Sequence, residues 1–192
     1  MKYFSQYKGL RKENYILCLG RIVTSLGSMV YPVMTLLLNQ KLGLTATETS
    51  LFFAISQVVY IPASLIGGKI ADKWNKKKII VWCDFMSVAM YLVCGILPFG
   101  FHTVVIMVFA SALQNLEGPA YSALVADINR VEDRDRAYSL LYLGMNIGLV
   151  ASPTIAGMLL NNHVNLIFII SGVSIGISTI LIALFVKNIT PV

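Results

Sequence analysis

The chain has 192 residues, of which 57% are hydrophobic and 12% charged, with a formal net charge of +6. A soluble domain carries about 25% charged residues, so this composition excludes an ordinary water-soluble globular protein, and the mean hydropathy of +0.75 points to a bilayer as solvent. The positive charge is gathered in a few connections instead of forming a basic face, which argues against a nucleic-acid partner and makes the basic residues a topology signal.

Apolar runs follow one another at 14–38, 47–71, 79–99, 103–126, 137–160 and 164–186. A helix rises about 1.5 Å per residue and a hydrocarbon core is about 30 Å thick, so each run is long enough to cross. Backbone polar groups must pair inside lipid, and runs of this length are not barrel strands. The expected fold class is an all-α membrane protein of six transmembrane helices, one bundle over residues 1–192. The first dozen residues, MKYFSQYKGLRK, are polar and basic, and the run behind them is too long for the core of a cleavable signal.

The first run carries Arg21, with Ser25 and Ser28 on the same helical face, and Pro32. The second places Gln57, Tyr60 and Ser64 along one stripe and contains Pro62. It ends in GGKIADKWNKKKII at 67–80. There Asp72 sits at a helix C-terminus, where the macrodipole already concentrates negative charge. It needs a positive partner, either among Lys76, Lys77 and Lys78 or at the N-terminus of a neighbouring helix. The third run holds Asp84, about 8 Å in from its end and read as a structural group near those lysines. In the fourth, Gln114 and Tyr121 flank Glu117 at helical spacing, Pro119 follows Glu117, and Asp127 closes the run ahead of Arg130, Arg134 and Arg136. The fifth contains Gly144, Asn146, Gly148, Ser152, Pro153 and Gly157, of which Gly144, Gly148 and Ser152 repeat at small-xxx-small spacing. Cys18, Cys83 and Cys94 fall inside runs with no CxxC pair, and His102 and His163 have no second ligand at metal spacing, so no metal is expected.

Lys2, Lys8, Arg11 and Lys12 precede the first run, the 67–80 and 128–136 connections are basic, and Lys187 follows the last; the opposite side has only Lys41. Cytoplasmic loops attract Lys and Arg, so both termini are expected in the cytoplasm of a multi-pass plasma-membrane protein. Charges deep in a span cost about 2.5–3.5 kcal/mol each. Arg21 lies about 10 Å and Glu117 about 15 Å from their cytoplasmic ends, with Asn146 about as deep as Glu117. Arg21, Gln57, Tyr60, Gln114, Glu117, Tyr121 and Asn146 are therefore expected to line a substrate and proton pathway. Glu117 would be its protonatable group and Arg21 its partner. A structural Arg21–Glu117 ion pair, or Arg21 snorkelling to the interface, remain open readings.

The segment GKIADKWNKKK at 68–78 resembles the G-x-x-x-D-[RK]-x-G-[RK]-[RK] signature of the major facilitator superfamily, with Asn75 where Gly is usual. Asn tolerates left-handed backbone, so a turn of that kind is expected at Asn75. GLVASPTIAG at 148–157 is similar to that family's antiporter motif G-x-x-x-G-P-x-x-G-G, with Ser152 and Ala156 replacing glycines. More weakly, Gly118 to Asp127 with Asp133 to Ala137 is similar to the helix 4–5 connection of drug efflux members, while Ser111 stands where the family often has Arg. The resemblance implies a 3+3 inverted repeat forming the N-terminal half of a twelve-helix transporter. The activity implied is proton-coupled efflux of small, cationic or lipophilic compounds by alternating access, with no cofactor. Its partners would be the bilayer, a small-molecule substrate, protons, and a C-terminal six-helix half or second copy; a fragment of a longer protein is the expectation. In the family the motif's Asp clasps a helix N-terminus in the other half. The resemblance gives that latch to Gly68, Asp72, Lys73, Lys76 and Lys77, with Asp127, Arg134 and Arg136 repeating the design. A non-transporting six-helix membrane protein and an intramembrane enzyme are the alternatives; no G-x-S-x-G, H-E-x-x-H or paired acidic motif speaks for the enzyme.

Overall fold

The computed structural model describes residues 7–186; Lys2 and Lys187 of the charge pattern lie outside them. Helix α1 spans Lys12–Gly27 and α2 spans Val30–Leu36, continuing into a π turn at Leu37–Lys41. Then come α3 (Ala46–Lys73), α4 (Lys76–Ile96), α5 (Phe101–Ile128), a 3-10 turn at Val131–Asp133, α6 (Arg134–Leu160) and α7 (Val164–Phe185). Among the described residues, five stretches are long and apolar enough to cross a membrane: Lys12–Lys41, Ala46–Lys73, Lys76–Ile96, Val131–Leu160 and Val164–Phe185. The expectation of six comparable apolar runs needs correction at α5. That helix has 28 residues, ample in length, but Gln114, Asn115, Glu117 and Pro119 interrupt its apolar sequence, and it is not one of the five. The chain is an all-helical, multi-pass membrane protein.

Local chemistry sets the helix ends. Pro32 sits in the first turn of α2, where a missing N–H costs nothing, and the chain breaks just ahead of it at Ser28 and Met29. The freed Gly27 carbonyl lies in hydrogen-bond range of Ser171 Oγ and of the Met29 N–H. Gly43, at φ +70°, terminates the π turn; its N–H bonds to Asn39 O and the Leu44 N–H to Leu38 O. Thr45 and Glu48 form a reciprocal capping box on α3. Asn75 corrects the expected turn: its φ is −64°, and its side chain accepts the Lys78 N–H as the N-cap of α4. A residue that caps with its own oxygen does not need a left-handed backbone.

In packing, α1 lies against α6 and α7, α3 against α5, and α4 against both α5 and α7. Small residues set the distances. A Cβ added at Gly148 would stand 2.6 Å from Ile22 O and 2.7 Å from Leu26 N, and one at Gly67 would stand 1.9 Å from Leu116 O. Gly20 and Gly27 likewise face Ser178 and Ser174 of α7. Gly157 departs from the helix 5 pattern: it is exposed, and a Cβ there would meet nothing within 4 Å.

These contacts separate two glycines of one sequence motif. Gly148→Ala presses on backbone atoms and is expected to lower stability in detergent by about 1–3 kcal/mol. Gly157→Ala is expected to leave it unchanged or raise it by up to about 1 kcal/mol through helix propensity. Thermal unfolding of both variants checks the contrast.

Candidate functional site

A cavity of about 270 Å³ opens between α1, α4, α5, α6 and α7. Its walls mix apolar side chains with charged and polar ones. Arg21 and Ser25 enter from α1, Ser28 from the break after it, Asp84 from α4, Gln114, Glu117 and Tyr121 from α5, and Ser171 and Ser178 from α7. Met145 and Leu149 close the α6 side.

Arg21 does not snorkel to the interface. Its guanidinium carbon lies 3.8 Å above the centre of the Tyr121 ring, a cation–π contact. The Tyr121 hydroxyl donates to the Leu17 carbonyl at 3.4 Å, which fixes the ring under the guanidinium. Nor is there an Arg21–Glu117 ion pair within 4 Å among the described residues; Arg21 shares the cavity with Glu117 and Asp84. Arg21 and Tyr121 also line a second crevice between α5 and α6, bounded by Ser122, Tyr138 and Tyr142. The stacked pair is thus the partition between the two spaces.

Asp84 is the residue that sequence reasoning placed wrongly. It is 6% exposed, makes no ion pair with the loop lysines within 4 Å among the described residues, and its carboxyl faces that of Glu117. Thr179 Oγ1 of α7 lies 2.6 Å from Asp84 Oδ2. Glu117 Oε2 is shielded from solvent without a hydrogen-bond partner among the described residues, although part of the side chain reaches the cavity. A depth estimate along one helix could not reveal this pairing, because it depends on how α4 and α5 rotate against each other.

The remaining pathway candidates divide. Gln114 is in the chamber. Tyr60 is buried and borders a small aromatic pocket with Tyr31, Phe52, Phe53 and Tyr91. Gln57 is exposed and lines a separate lateral groove with Ser64 and Asn115. Asn146 folds back to donate to the Tyr142 carbonyl and is not among the chamber's lining residues.

At the end of the bundle bearing the basic connections, the latch candidates are also redistributed. Asp72 is exposed and has no ion pair among the described residues, so Lys76–Lys78 do not serve it. Lys76 Nζ instead reaches Asp127 Oδ2 at 2.7 Å, joining the start of α4 to the end of α5. Lys77 Nζ donates to the Val186 carbonyl beyond α7. Arg134 Nε donates to the Ala126 carbonyl near the α5 terminus, and Arg136 pairs with Asp133 and donates to Lys8 O. Gly68 and Lys73 point away from the core. Sequence reading also passed over Asn14 and Asn129, buried at the same end and joined amide to amide by bonds of 2.7 and 2.9 Å. Of the helix 5 set, Gly144 packs on Cys18, Ser152 is buried with its Oγ unpaired, and Pro153 is exposed.

The helices and their chamber define a polytopic membrane protein with a charged, part-open cavity. The Major Facilitator Superfamily profile matches residues 17–192, and the chain belongs to that family, whose members are transporters and not enzymes. It is 28% identical over 172 residues to the multidrug resistance protein MdtH of Salmonella typhimurium, covering 87% of this chain and 41% of that protein. With MdtH of Yersinia enterocolitica the figures are 30% over 165 residues, 83% and 40%. The chain therefore spans about two fifths of the curated relatives it matches. Among solved structures, the peptide transporter POT bound to alafosfalin superposes with a TM-score of 0.80 over 92% of this chain and 38% of that one, at 16% identity, a likeness of fold.

The Lys76–Asp127 contact is part-buried, with side-chain exposures of 12% and 31%. A double-mutant cycle with Lys76→Ala and Asp127→Ala is expected to give a coupling of about 0.5–1 kcal/mol that shrinks at high salt. The measurement is thermal unfolding of the four proteins at two ionic strengths.

Proposed function

We propose that this chain is the N-terminal six-helix half of a proton-coupled exporter of small cationic or lipophilic compounds. It sits in the plasma membrane with both termini cytoplasmic and works against a second six-helix unit, either a separate half or another copy. The chamber carries this reading. An arginine and two carboxyls stand deep among apolar helices, facing a cavity instead of lipid. Intramembrane ions are costly and mark transport pathways. The multidrug names of the relatives agree with an export role.

The packing supports a 3+3 repeat with α5 as the sixth crossing. Exchanging the α1–α2 rod with α5, α3 with α6, and α4 with α7 turns each major helix contact into another that is present. The outward face of α3, with Leu51, Ile55, Val58 and Leu65 exposed, is available to lipid or to the second unit.

In a full-length transporter containing this half, Glu117→Gln is expected to cut pH-driven substrate transport at least tenfold while the protein still inserts. Unchanged pH-driven transport would falsify the coupling role. Orientation has its own measurement: a cysteine at Lys73 should react with an impermeant maleimide from the cytoplasmic side alone, and labelling from outside would reverse the topology.

A further inference from the structure

Thr179 sets a problem of proton counting. Its single hydroxyl lies 2.6 Å from Asp84 Oδ2 and 2.8 Å from the Ile175 carbonyl, both within hydrogen-bond range. A hydroxyl has one hydrogen to donate. If that hydrogen goes to Ile175, the contact with Asp84 holds only when Asp84 is itself protonated and donates. If it goes to Asp84, the carboxyl there is an acceptor and is ionised.

Glu117 poses the complementary problem from α5. Its carboxyl faces that of Asp84, and its Oε2 has no partner. The charged or titratable groups around the two acids are Arg21 from α1, the Cys83 thiol from α4 and Tyr121 from α5. Helix α7 contributes the hydroxyls of Ser178 and Thr179, and α6 the apolar Met145 and Leu149. Arg21 is thus the cation available to offset two adjoining carboxyls. Like charges in one desolvated site cannot both be sustained by one counter-ion, and such pairs share a proton.

We infer that Asp84 and Glu117 act as one carboxyl pair binding a single proton opposite Arg21, with the Thr179 hydroxyl turning between Ile175 and Asp84 as that proton arrives and leaves. The charges add simply. With the proton bound, the pair carries one negative charge and Arg21 cancels it. When the proton passes to water in the cavity, the cluster becomes singly negative and suits a singly charged cation. This rests on the export reading above and deepens it: Asp84 joins Glu117 as a coupling residue, and one proton exchanges for one positive charge.

The test uses this chain in lipid nanodiscs, by infrared difference spectroscopy in the region where a protonated carboxyl absorbs apart from carboxylates. At neutral pH the unsubstituted chain should show one such buried carboxyl. Asp84→Asn and Glu117→Gln should each abolish it, because either change leaves Arg21 facing one acid. Thr179→Val, nearly isosteric, should keep its intensity and shift its frequency. A band surviving in either acid variant, two bands or none in the unsubstituted chain, or an unmoved band in Thr179→Val would overturn the shared proton. Should an acid variant fail to fold, as read by circular dichroism, the band count of the unsubstituted chain and the Thr179→Val shift still decide. The transport assay stays separable: insensitivity to Glu117→Gln sinks coupling without touching the spectrum, and a failed spectrum leaves Glu117 alone to couple.

Discussion

Helices in a bilayer gain nothing from hiding apolar surface from one another, since lipid is as apolar as leucine. Their association depends on how near their backbones come and on the few polar bonds made across the gap. That constraint accounts for where this chain spends its glycines. Gly148 and Gly144 bring α6 onto α1, Gly20 and Gly27 admit the α7 hydroxyls, and Gly67 lets α3 touch the backbone of α5. Ser87 donating to Ala110 O and Asn165 donating to Gly95 O fasten α4 to its neighbours.

The same constraint makes the chamber possible. Once small residues have set the α1–α6 and α1–α7 distances, larger polar side chains on the facing stripes of α1, α4 and α5 are left around a space they do not fill. Arg21 is held flat on Tyr121, so its charge stays in the chamber and does not travel to the interface. The break before Pro32 adds backbone polarity to the upper wall, where Gly27 and Ser28 line the cavity.

What could be read from the sequence was whatever one helix or one connection determines. Membrane-length runs, the basic connections, Arg21 and Glu117 as polar groups within the helices, and the family resemblance all depend on local spacing. What escaped depends on rotation between helices. Asp84 looked peripheral by depth, yet α4 turns it inward to Glu117 and Thr179. Lys76 looked like a partner for its loop neighbour Asp72, yet it crosses to Asp127, because a helix N-cap at Asn75 aims the lysine at the end of α5. Gln57 lines a separate groove, and Asn146 turns back onto the Tyr142 carbonyl. Asn14 and Asn129 lie far apart in sequence, and neither had a signal without the other.

Polar closure and charge are divided between the two levels of the bundle. At the end bearing the basic connections, Lys76 to Asp127, Lys77 to the Val186 carbonyl and Arg134 to the Ala126 carbonyl tie together the termini of α4, α5, α6 and α7. The Asn14–Asn129 pair adds α1 to that knot. All five helices that the chamber opens between, α1, α4, α5, α6 and α7, are therefore joined at that end by polar bonds. Such a bundle responds to a change of charge in its chamber as one body more readily than by internal rearrangement. On the proposed reading, a carboxyl pair held between helices tied in this way would relax little around a lost proton, and the unbalanced charge would stay available to a cation entering the cavity. In the proposed transporter, this rigidity is what lets a single proton govern the motion of the half against its partner.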